Sequence, residues 1–157
     1  MRLDLDEIER SLAARAGLDP EAMKHMVEGA VFEVPDPLVK FPATPEGKRT
    51  EHDYRRIVIV QAHHLLGPQP PETILVVPCS VSAKGCGRAD YEVPPGERAF
   101  TKPNVVAYAS LNIAVPKSAL TKDLHKGTLS DVALSQLRAV IAKNFALGSP
   151  VALPPRT

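Results

Sequence analysis

Cysteine is scarce in this 157-residue chain: Cys79 and Cys86 are the only two. Two thiols cannot build a disulfide framework, and they suit a reducing compartment. Long apolar runs are missing as well. The longest reach about five residues, far short of the ~20 that cross a bilayer. The first nine residues carry four acids, Asp4, Asp6, Glu7 and Glu9, a pattern that excludes a signal or transit peptide. A soluble, cytoplasmic protein is therefore expected, with no membrane partner. Net charge is nearly absent, at +1 from 19 Lys and Arg against 18 Asp and Glu, so composition alone carries no nucleic-acid signature. Glycine is also sparse, with nine residues against sixteen prolines. That balance breaks long helices and favours short strands joined by stiff turns.

Several catalytic signatures are missing too. There is no glycine-rich phosphate loop, no G-x-S-x-G elbow and no H-E-x-x-H pair. Cys79 and Cys86 stand too far apart for a zinc knuckle and have no second pair to complete four ligands. No metal or cofactor is expected. His63 and His64 could supply a general base or a metal ligand, but read first as solvated loop histidines, since the further partners a metal needs are missing.

Three segments make up the chain as read. Residues 1–28 form a helical appendage, 29–150 a barrel domain and 151–157 a tail. In the appendage Leu5, Ile8 and Leu12 share one face of a helix over 4–16. Asp19 and Pro20 then begin a second helix running to about Glu28. A strand follows at 30–34, and 35–54 reads as a long polar loop of the functional kind. The β-branched runs 56–61 and 73–77 lack alternation, which predicts strands buried on both faces. Further strands are expected at 90–93, 104–111 and 113–115. A closing helix over 130–147 is capped by Ser130, with Leu134, Leu137, Ile141 and Phe145 as its apolar stripe. The fold class read from this succession is mainly β with flanking helices, a small curved barrel or half-barrel.

Charge divides unevenly along the chain: residues 1–28 sum to −3 and the remainder to +4. Two features stand out at strand ends. Arg55 and Arg56 lead into one buried strand, while Ser80, Ser82 and Lys84 follow the next. Adjacent strands would bring arginine and serine together at one rim, where a guanidinium fork suits a phosphate and its transition state. The other reading of the arginine pair is an edge charge that keeps the sheet from aggregating.

The segments G-A-V-F-E-V-P (29–35), R-R-I-V-I-V-Q (55–61), I-L-V-V-P-C-S-V-S (74–82), D-Y-E-V-P-P (90–95), P-N-V-V-A-Y-A-S-L-N (103–112) and K-G-T-L-S-D-V-A-L-S-Q-L (126–137) come in this order. The succession resembles the MazF/PemK toxins of type II toxin–antitoxin modules over about 29–147. The resemblance implies a small Src-homology-3-like barrel of the CcdB/PemK type with a C-terminal helix, here preceded by an extra N-terminal helical hairpin. It implies a homodimer and a metal-independent, sequence-selective endoribonuclease that inhibits growth until a cognate antitoxin binds. Cleavage of single-stranded RNA would leave a 2′,3′-cyclic phosphate and a 5′-hydroxyl.

By position, the family's catalytic arginine falls on Arg55, with Arg56 beside it, and its hydroxyl residue on Ser80. RNA contacts would come from Lys48, Arg49 and His52 in the long loop and from Ser82 and Lys84. The proline that usually follows the arginine is replaced by Arg56. The acid and base found along the family's later strand have no counterpart in 108–112. His63, His64 and His52 are then the candidate proton acceptors. The alternative is a barrel without catalysis that binds RNA or a protein partner, with residues 1–28 as an internal clamp.

Overall fold

The computed structural model describes residues 4–39, 52–62, 66, 72–81 and 87–145. Three α-helices are found among them: α1 (Leu5–Arg15), α2 (Pro20–Met23) and α3 (Asp131–Asn144). The strands are β1 (Ala30–Pro35), β2 (Tyr54–Ile59), β3 (Thr73–Ser80), β4 (Tyr91–Glu92), β5 (Val106–Ala107), β6 (Ile113–Pro116) and β7 (His125–Thr128). They pair in the order β4-β5-β3-β2-β1-β7, and β6 adds to the first half of β3. Every pairing is antiparallel. The sheet therefore curls, because long β3 serves β6 with one half and β5 with the other. A register shift between Val31 and Phe32 bends β1 as it leaves β7.

Both faces of the sheet carry a core, as the unalternating apolar runs lead one to expect, although β3 begins by alternating and leaves Leu75 exposed. On one face Phe32, Val34, Ile57, Ile59, Ile74 and Val76 meet Ala22 and Met26 from the N-terminal hairpin. On the other, Val31, Val58, Val77 and Cys79 meet Ala133 and Leu137 of α3. The hairpin is tied down by polar contacts as well. Asp19 accepts from the Lys122 amide at 2.8 Å, Glu28 holds Arg138 through two hydrogen bonds, and His25 stacks on His125 at 4.3 Å between ring centroids. Helix α1 beyond it buries only Ala13.

Several elements differ from expectation. Helix α2 stops at Met23 rather than near Glu28, because the following residues turn so that the Gly29 amide can reach the Ile59 carbonyl at 2.8 Å. The strand expected over 104–111 shrinks to two residues, and β7 appears where none was expected. In α3, Ala133 and Leu137 carry the buried stripe, while Phe145 caps the end and is 57% exposed.

Candidate active site

At one rim of the sheet, charged side chains of β1 and β2 and the end of β3 surround a cavity of about 210 Å³. The β2–β3 register pairs Ile57 with Pro78, and beyond it Arg55 reaches the carbonyl of Cys79, the neighbour of Ser80. The β1–β2 register pairs Glu33 with Arg56. Neighbours in a strand point to opposite faces, so Arg55 follows Ile57 toward the hairpin side and Arg56 follows Val58 toward the α3 side. Both arginines, Ser80, Glu33, His52 and Phe100 line the cavity together.

Each arginine is held by an acid. Arg55 is 8% exposed; its Nε donates to Asp36 Oδ1 at 2.6 Å and its Nη1 to the Cys79 carbonyl at 3.4 Å. Asp36 sits in the tight turn (Asp36–Leu38) after β1, between two prolines, and its second oxygen accepts from the His52 amide at 3.2 Å. Arg56 donates through Nε to Glu33 Oε1 at 3.2 Å and through Nη1 to the Ala99 carbonyl at 2.6 Å. Lys126 reaches the other oxygen of Glu33 at 3.3 Å. The guanidinium that a carboxylate grips in this way stays in one orientation.

Of the residues singled out from sequence, Arg55, Arg56, Ser80 and His52 meet at this cavity. His63, His64, Ser82, Lys84, Lys48 and Arg49 lie outside the described residues. Sequence reasoning missed both acids, although Glu33 was visible as a lone charge inside an apolar strand and Asp36 as an acid fenced by Pro35 and Pro37. It also missed Phe100 and Lys102, brought to the rim by the connection between β4 and β5. Cys79 forms part of the wall, but burial pushes its thiol up to about 12, so it is no nucleophile near neutrality. None of the described residues of the N-terminal hairpin lines the cavity. Among the described residues no cluster of three His, Cys, Asp or Glu is placed to hold a metal ion, and no helix is long and apolar enough to cross a membrane.

No protein-family profile matches the sequence, and no curated protein matches it significantly. Solved structures do. An endoribonuclease from a mycobacterial species superposes with a TM-score of 0.54 at 12% identity, covering 80% of this chain and 96% of that one. A mycobacterial endoribonuclease in complex with its cognate antitoxin gives the same TM-score at 11% identity, covering 80% and 98%. The fold, a curled half-barrel sheet with a C-terminal helix, is thus shared with these mycobacterial endoribonucleases.

Proposed function

We propose that this chain is an endoribonuclease toxin of a type II toxin–antitoxin module. It would cut single-stranded RNA without a metal and would be held in check by a cognate antitoxin. One observation carries the reading: Arg55, anchored at the end of β3 through the Cys79 carbonyl, and Ser80 next to it line one charged cavity, on a fold shared with endoribonucleases.

In this reading the scissile phosphodiester enters between the two strands. The ribose 2′-oxygen attacks phosphorus, the P–O2′ bond forms and the P–O5′ bond breaks. The products are a 2′,3′-cyclic phosphate and a 5′-hydroxyl, and no water is consumed. Ser80 donates its hydroxyl to a non-bridging oxygen, and the arginine charges oppose the negative charge that grows on the phosphorane. The 2′-hydroxyl proton leaves to a neighbouring acceptor, and the departing O5′ takes one up. His52 and Glu33 are the acceptors at hand among the described residues lining the cavity. Such a group contributes typically 10²- to 10⁴-fold in rate.

The second reading, a barrel that binds RNA or a protein without cutting, draws on the pairing of each arginine with an acid, which offsets the charge available to a phosphate. One experiment separates the two. Long RNA is incubated with the purified protein, with and without EDTA, and the product ends are mapped. Cyclic phosphate termini that persist in EDTA and vanish in Ser80→Ala support the nuclease. Intact RNA retained in a complex supports the binder.

A further inference from the structure

Arg56 has two in-plane donors already engaged, Nε with Glu33 and Nη1 with the Ala99 carbonyl. Arg55 is held the same way by Asp36 and the Cys79 carbonyl, so what sets Arg56 apart is the aromatic ring against its guanidinium. Its central carbon stands 5.7 Å from the centroid of the Phe100 ring, a cation–π distance. Phe100 is rigidly mounted. Its amide donates to the Glu97 carbonyl at 3.0 Å, and the Glu97 carboxylate accepts from the Ser130 amide at 2.9 Å at the start of α3. Tyr54, two residues before Arg56 and so on the same side of β2, is 56% exposed on the same cavity wall. Aromatic residues are only 4% of the chain, yet two of them flank this one cavity. Lys102 adds a cation at the mouth.

Flat, amphipathic surfaces beside a phosphate-binding pair fit one ligand chemistry, the nucleobase, which stacks on aromatic rings and on guanidinium planes alike. We propose that the Arg56–Phe100 stack, with Tyr54 beside it, is a nucleobase subsite. A base next to the scissile phosphodiester would lie there while the phosphate occupies the Arg55–Ser80 gap. Arg56 then acts as a stacking platform rather than a second phosphate clamp, and the assignment rests on the ribonuclease reading above.

The absence of tryptophan makes a clean test available. Phe100→Trp places a single indole on the platform. Its fluorescence is titrated with a short 2′-O-methyl RNA pool, which lacks the attacking hydroxyl, and with an abasic oligonucleotide of equal length. Quenching by the base-bearing pool at roughly tenfold lower concentration than by the abasic strand is expected, as is a roughly tenfold loss of kcat/KM on long RNA in Phe100→Leu. Equal titrations, or Phe100→Leu cutting as well as the wild type, would overturn the subsite and leave the nuclease standing. A wild-type protein that neither cuts nor binds RNA would remove both. Should Phe100→Trp not fold, Tyr54→Trp carries the same reporter on an exposed position, with the same two outcomes.

Discussion

Arg55 and Asp36 form a buried ion pair, 2.6 Å from Nε to Oδ1 with side-chain exposures of 8% and 3%, at the edge of the cavity proposed to cut RNA. Removing one partner of such a pair strands the other charge away from water and typically costs about 3–5 kcal/mol. Arg55→Ala and Asp36→Ala are each expected to lower urea-unfolding stability by about that amount. The double substitution Arg55→Met with Asp36→Leu is expected to be less destabilised than either single change. Lost activity in Arg55→Ala alone is therefore not a catalytic readout.

Ser80 offers the cleaner probe. It sits half-buried at the end of β3, and deleting one hydroxyl oxygen removes little packing. Ser80→Ala is expected to change stability by about 1 kcal/mol or less while RNA cleavage falls about 10²-fold, the usual loss for one transition-state donor. Thermal melts and initial rates on the same preparation check both halves.

The rim of the site was legible in the sequence because strand ends are marked there. Two arginines precede one β-branched run and a serine follows the next, and antiparallel pairing of neighbouring runs brings those ends to one cavity. Strand β2 and the Ser130 cap read correctly for the same local reasons, whereas the first half of β3 alternates and leaves Leu75 44% exposed. What stayed hidden depends on contacts far apart in sequence. Strand β7 is His125–Thr128, four half-buried or exposed residues with no apolar run; it is a strand only because β1 lies next to it. The partners of the arginines escaped for a related reason. Asp36 lies nineteen residues from Arg55, and no periodicity links a turn acid to a strand cation across the intervening loop.

The stack of His25 on His125 predicts acid sensitivity. His125 Nε2 is buried without a hydrogen-bond partner, and burial, with His25 adding repulsion, lowers the His125 pKa from 6.5. The unfolded chain therefore takes up this proton at higher pH than the folded one. Stability from this pair is full above about pH 6.5 and declines as pH falls through the depressed folded value. Asp19, whose pKa the Lys122 amide lowers from 3.8, loses its contribution only in more acid solution, so the two windows are separate. Melting temperatures measured between pH 8 and 5 should fall in the wild type and flatten in His125→Phe, which keeps the ring and deletes the titration.

Gly127 couples the barrel to the cavity wall. Its φ of +131° suits glycine, and a Cβ there would meet Ala99 at 3.4 Å. Ala99 is the residue whose carbonyl holds Arg56. Substituting Gly127 by alanine adds backbone strain of about 1–3 kcal/mol right beside the loop that mounts Phe100, with the new Cβ in ordinary contact with Ala99. The expected result is a lower melting temperature together with weaker RNA cleavage, the second effect exceeding that of Gly96→Ala. Gly96 also has a positive φ, +97°, but an added Cβ there meets nothing within 4 Å. Strain is thus common to the two variants, and only at Gly127 does it arise against the loop that mounts Phe100. Equal cleavage rates in two variants of matched stability would break the link between Ala99 and the site.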